Sequence, residues 1–242
     1  MIRRALLSTG GLMLGSPVNV VKRVTPMLTA SMLIMILVPS ATAGAQDRMP
    51  PIPAEKMTDA QKKAYADYKT IRGTEPNGPP WAVILRVPGL LVPSLQMRMH
   101  YLKDSTLDQR LTEFAILIAA RRWTNNFEFN AHSNAALKAG LKPEIMAAVT
   151  EGRRPERMAE DEEALYDFCN ELQVNQSVSD PTYARALAKF GEPGIVEIAG
   201  IQGYYTYLAM IMNAARVTIP ATAKPALERF PRLGQGLVGT GK

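Results

Sequence analysis

Cysteine and histidine are scarce in this chain of 242 residues, which has one cysteine, Cys169, and two histidines, His100 and His132. A lone cysteine excludes an internal disulfide framework, a four-cysteine zinc site and any Cys-x-x-Cys redox centre. Two histidines leave no room for a His-rich metal cage. The marked apolar run, residues 27–38, falls short of the ~20 residues of a comfortable membrane span. No repeat of solenoid period is visible, and no segment alternates like a strand between hairpin turns. Catalysis, if present, must come from carboxylates, amides, hydroxyls and one or both imidazoles.

What is present describes a chain that buries a core, with 47% apolar and 21% charged residues. The length suits one good-sized domain. The formal charge of +6 rests on 28 basic and 22 acidic side chains. Residues 1–46 carry Arg3, Arg4, Lys22 and Arg23 and no acid, so the remainder has 24 basic against 22 acidic groups, a net of +2. That balance carries no electrostatic footprint for nucleic acid. Lys22 and Arg23, the run MLTASMLIMILV and then Ala43-Gly44-Ala45 have the order of a secretory signal peptide. The expectation is a leader over residues 1–45, with translation starting near Val20 or Val21, and an exported product, periplasmic or secreted, that has no membrane attachment once cleaved.

The mature chain reads helical throughout. Thr58 and Gln61 form a capping box ahead of a helix over residues 58–72. Turn formers fill 73–80, a helical turn follows at 81–85, and 90–103 is helical provided that Pro93 falls in the first turn. Thr106 and Gln109 suggest a second capping box, before Leu107, Leu111, Phe114, Ala115, Ile118 and Ala119 at helical spacing. Residues 123–126 break that helix. A small-residue helix over 127–139 stops at Gly140, and Pro143 opens a short one over 143–151. Further helices are expected at 160–173, 181–190 and 193–214. An all-α domain over residues 46–215 follows, with 216–242 as an extended arm, laid over a neighbouring subunit, or a frayed tail.

Chemistry concentrates around two of these helices. Asn125, Glu128 and His132 lie three and seven residues apart on one face. Glu128, one turn from His132, could orient the imidazole and stabilise its charged form. Glu113 stands inside an otherwise apolar helix, with Arg110 one turn before it, and a carboxylate there needs a partner. An antiparallel hairpin through residues 123–126 would bring Glu113 to His132. The bland alternatives are a surface pair for Glu128 and His132, and a structural role for Glu113 beside Arg110 or Arg121. His100 reads as a packed or surface histidine. A metal set of Glu113, Glu128, His132 and His100 is conceivable but rests on a weak Glu-x-x-x-His signal, and the metal-free reading stands above it.

The stretch LDQRLTEFAILIAARRWTNNFEFNAHSNAALKAGLKPEIMAAVTEG resembles the core of the carboxymuconolactone decarboxylase / alkylhydroperoxidase D-like family. The shared pattern is Arg-x-x-Glu on one helix, an acidic-aromatic segment, then His, Ala and Gly-Leu before a further helix. The later stretch FGEPGIVEIAGIQGYYTYLAMIMNAARV resembles the C-terminal helix of decarboxylase-type members, so the likeness spans roughly residues 85–215. The resemblance implies a single-domain all-α helical bundle that forms homo-oligomers (dimer, trimer or hexamer). Asn125 and Glu128 stand where the peroxidase branch has its cysteine pair, which removes thiol chemistry. Glu113 and His132 match the family's acid and histidine. The implied activity is a cofactor-free lyase acting on a small organic acid or lactone by decarboxylation or isomerisation. His132 would donate the proton, Glu128 orient it and Glu113 relay it; Arg110, Asn125, Tyr204 and Tyr205 would bind substrate. The alternative is a non-catalytic oligomeric binding or scaffold protein with a retained pocket.

Overall fold

Thr58 starts the first helix, α1 (Asp59–Arg72), by accepting from the Gln61 amide while the Gln61 side chain accepts from the Thr58 amide. The computed structural model describes residues 47–217 together with Ile219, Leu227 and Glu228. The expected leader over 1–45 and most of the expected arm lie outside the described residues. After α1 come α2 (Pro79–Ile84) and α3 (Pro88–Met99), then a π-helical turn over His100–Asp104. Next are α4 (Gln109–Arg122), α5 (Asn126–Lys138), α6 (Pro143–Glu151), α7 (Glu160–Asn175) and α8 (Asp180–Ala215). The described residues form an all-α domain, as the periodicities predict, with no strand among them.

Helix α4 is the axis of the fold. All eleven residues from Leu111 to Arg121 are buried, so this helix is enclosed on every side. Its Phe114, Ile116 and Leu117 are fully buried, each contributing roughly 2 kcal/mol by burial. Helices α5, α6, α7 and α8 pack around it. Small residues at Ala115, Ala119 and Ala120 let neighbouring backbones come close. A Schellman end closes α5: Gly140 takes φ 101° and Leu141 N–H reaches the Ala136 carbonyl at 2.9 Å.

Two local expectations need correction. Helix α3 begins at Pro88, so Pro93 lies inside it, past the first turn; Pro93 and Gly89 are both exposed, which leaves the released carbonyl to water. The cap of α4 is Asp108, whose Oδ1 accepts from Leu111 N–H at 2.9 Å. Thr106 is drawn instead to Glu197, with its amide at 2.8 Å and its hydroxyl at 2.6 Å from Oε2. The expected helices over 181–190 and 193–214 are both present within α8, divided at Gly191 as their spacing predicts. Gly191 has φ 65° and ψ 178°, a conformation essentially reserved for glycine.

Leu227 and Glu228, the described part of the expected arm, lie on the α4–α5 turn of the same chain. Asn126 Oδ1 accepts from Leu227 N–H at 2.7 Å, and Arg121 donates to the Glu228 carbonyl at 2.8 Å.

Candidate functional site

The α4–α5 hairpin builds the site. Thr124 turns the chain with φ 47°, and Asn125 caps α5 by accepting from Glu128 N–H at 3.0 Å. The two helices then run back along each other, and Glu113 Oε2 meets His132 Nδ1 at 2.7 Å. Glu128 Oε2 lies 3.4 Å from His132 Nε2, one helical turn away. The three residues are only 2%, 3% and 6% exposed for Glu113, Glu128 and His132. The two acids meet opposite ring nitrogens at different distances. Glu113, reaching end-on across the hairpin, holds the ring, and Glu128 at the longer distance is the looser partner.

Burial alone would push the imidazole's proton affinity down. Hydrogen bonding to Glu113 and Glu128, together with their negative charges, outweighs that and raises the His132 pKa from 6.5 to about 9. At neutral pH the ring is therefore an imidazolium with both N–H groups directed at carboxylates.

Aromatic rings cover the cluster. Tyr205 presents its ring edge-on to His132, with centroids 5.1 Å apart at 87°, and Tyr204 packs edge-on against Tyr205 at 5.2 Å. Tyr204 donates its hydroxyl to the Ser94 carbonyl at 2.7 Å. The Tyr205 hydroxyl is buried with no hydrogen-bond partner among the described residues. Burial, reinforced by the Glu128 charge, pushes both phenols far above their ordinary range.

The other expected residues are engaged elsewhere. Arg110 donates to Glu162 Oε1 and to Asp161 Oδ2, each at 2.6 Å, and so ties α4 to α7. The Asn125 amide donates to Asn213 Oδ1 at 3.0 Å and to the Ala209 carbonyl at 3.4 Å, fastening α5 to α8. Substrate recognition by either would require breaking those bonds. His100 is remote from the Glu113 cluster in its bonding: its Nε2 lies 2.8 Å from Glu197 Oε1. Glu197 also accepts from Ser105 and Thr106. Sequence reasoning overlooked this hub, although a lone acid inside the apolar 193–214 segment is the same signal that singled out Glu113.

A groove of about 880 Å³ opens elsewhere, lined by Met49, Ile52, Met57, Tyr65, Leu85 and Val217 among others, and includes no member of the Glu113–His132 cluster. Among the described residues no three acidic, histidine or cysteine side chains converge on a common metal-binding point. His132 lies between its two acids, so the four-residue metal set does not assemble. No described helix is long and apolar enough to cross a membrane. No family model, curated protein or solved structure matches the chain.

Proposed function

We propose that this protein is a cofactor-free acid–base enzyme of the carboxymuconolactone decarboxylase type, acting on a small organic acid or lactone. The observation that carries the reading is the buried Glu113–His132–Glu128 chain, with one ring nitrogen tightly held and the other loosely met. A purely structural ion pair needs one acid; a second, looser acid gives the proton somewhere to go. In the decarboxylation reading the substrate C–C bond to its carboxylate breaks and carbon dioxide leaves. The electron pair moves through the conjugated double bond onto the carbonyl oxygen. The His132 imidazolium then gives up its Nε2 proton, which reaches carbon by way of Glu128 while Glu113 steadies the ring. In the isomerisation reading the same acid removes a proton from one carbon and returns it to another.

The sequence likeness over residues 85–215 supports the family assignment, and Val196 and Met210, 70% and 48% exposed on α8, support a homo-oligomer. Export through the leader belongs to the same proposal. The second reading, a non-catalytic binding protein, draws on the near-complete burial of the three groups. His132→Ala separates the two. Lost turnover with unchanged binding of small acids supports the enzyme, while unchanged turnover removes His132 from the chemistry.

A further inference from the structure

Arginine gathers at a second place on α4, away from Arg110. Arg121 and Arg122 end the helix, and Arg153 follows Gly152, the cap of α6. These three side chains line one cavity of about 120 Å³ together with Tyr166, Asn170 and Gln173 of α7. Ile118 and Val149 give the cavity an apolar wall. No carboxylate lines it among the described residues, and no member of the Glu113–His132–Glu128 cluster does. At 1.5 Å of rise per residue, Arg121 stands roughly 12 Å along α4 from Glu113, so the two sites are separate.

The helix ends do not account for three cations here. Arginine near a C-terminus commonly bonds the last carbonyls, but backbone amides already do so. Trp123 N–H reaches the Ala119 carbonyl at 3.2 Å, Thr124 N–H that of Arg121 at 2.9 Å and Asn125 N–H that of Ala120 at 2.8 Å. On α6, Gly152 N–H reaches the Val149 carbonyl at 2.9 Å and Arg153 N–H that of Ala148 at 3.0 Å.

Neighbouring acids do not account for them either. Glu163 and Asp167 are held by Arg154 at 2.6 and 3.2 Å, and Asp167 also by Arg185 at 3.1 Å. Glu151 pairs with Arg153 where both side chains are more than half exposed. Arg122 makes no ion pair or hydrogen bond among the described residues, and neither does the Asn170 amide or the Tyr166 hydroxyl. Arg121 is 6% exposed and donates to the Glu228 carbonyl at 2.8 Å, which fixes its charge at the cavity. Guanidiniums around one small opening repel one another, and an anion between them turns that repulsion into attraction.

We propose that this cavity binds a phosphoryl group, as inorganic phosphate or as the head of a phosphate monoester. Arg122 and Arg153 donate to its oxygens from α4 and from the end of α6, Arg121 adds charge, and Tyr166 and Asn170 add neutral donors from α7. One guanidinium fork satisfies the two oxygens of a carboxylate. A phosphoryl dianion has three strong acceptor oxygens and takes donors from several directions at once, as the donors here are arranged on three elements. The cavity has room for one tetrahedral oxyanion, so the remainder of a monoester stays outside. The site goes beyond the acid–base reading and does not depend on it.

Inorganic phosphate and glycerol phosphate are titrated calorimetrically into the full chain at neutral pH and low ionic strength, with acetate as the carboxylate comparison. Vesicles of phosphatidylcholine with and without phosphatidate form a parallel arm, read by sedimentation. Both soluble phosphates bind, and acetate binds at least about tenfold more weakly. Arg122→Gln and Arg153→Gln each weaken phosphate binding by about tenfold, the usual worth of a charge-assisted hydrogen bond. Asn170→Asp sets a carboxylate among the guanidiniums and abolishes binding without lowering the denaturation midpoint. Arg72→Gln, on α1, binds as the parent does. Binding to phosphatidate vesicles alone, lost in Arg122→Gln, supports the same site with a lipid head group as the source. The site is overturned if neither the free phosphates nor the phosphatidate vesicles bind, or if acetate binds as tightly as phosphate. It is equally overturned if the Arg122, Arg153 and Asn170 variants bind as the parent does.

Discussion

At the residue scale, His132 keeps its proton in a dry setting because Glu113 and Glu128 flank it. Its folded pKa of about 9 lies above the 6.5 of a free imidazole. That difference stabilises the fold fully below pH 6.5 and is lost as pH rises toward 9. Denaturation midpoints measured from pH 6 to about 9.5 should therefore fall more steeply for the parent than for His132→Gln. Glu113→Gln removes the acid that holds Nδ1. It should cost about 3 kcal/mol of stability, since it breaks a buried pair, and about a hundredfold or more in any His132-dependent turnover; chemical unfolding and initial rates check the two separately. Cys169 is fully buried, and burial alone pushes its thiol up. It should resist an aromatic disulfide reagent in the folded protein and react stoichiometrically in denaturant, as absorbance release would show.

At the scale of elements, the helices were legible because most of their ends are written locally. Thr58 with Gln61, Gly140 and Pro143 each satisfy or remove orphan backbone groups by themselves. The start of α4 was misread for a tertiary reason. Thr106 looks like a cap, but Glu197, ninety-one residues away, takes both its amide and its hydroxyl. Glu197 thus joins α8 to the π-helical turn at His100 and to the approach to α4. Glu197→Gln should lower stability by about 1–3 kcal/mol, because it weakens several charge-assisted bonds at once, and thermal unfolding reads that loss. Gly191 separates the two halves of α8 in a backbone region that a side chain strains. Gly191→Ala should destabilise by about 1–3 kcal/mol, visible as a lower denaturation midpoint with the slope unchanged.

At the scale of the whole molecule, the core is organised around α4, with Arg110 clamping it to α7 and Asn125 clamping α5 to α8. Both sit beside Glu113 and Glu128 in the sequence, yet their polar groups point to neighbouring helices. Burial would penalise them if those partners were missing. Arg110→Ala should destabilise the fold by about 2–4 kcal/mol, since it leaves the buried Glu162 without its cation. Binding of small carboxylates should persist in that variant, and calorimetry on the still-folded protein tests it.

Periodicity and caps along the chain were enough to determine the all-α class and most helix limits, because hydrophobic spacing and orphan backbone groups are local properties. They also marked Glu113 and His132, since a lone acid in an apolar helix and a nearby imidazole each call for a partner. Only the tertiary structure decided which acid holds which ring nitrogen, that Asp161 and Glu162 occupy Arg110, and that Tyr205 keeps an unmet hydroxyl among the described residues. Those facts depend on distances of a few ångströms between helices far apart in sequence, which packing around α4 sets and no local pattern encodes.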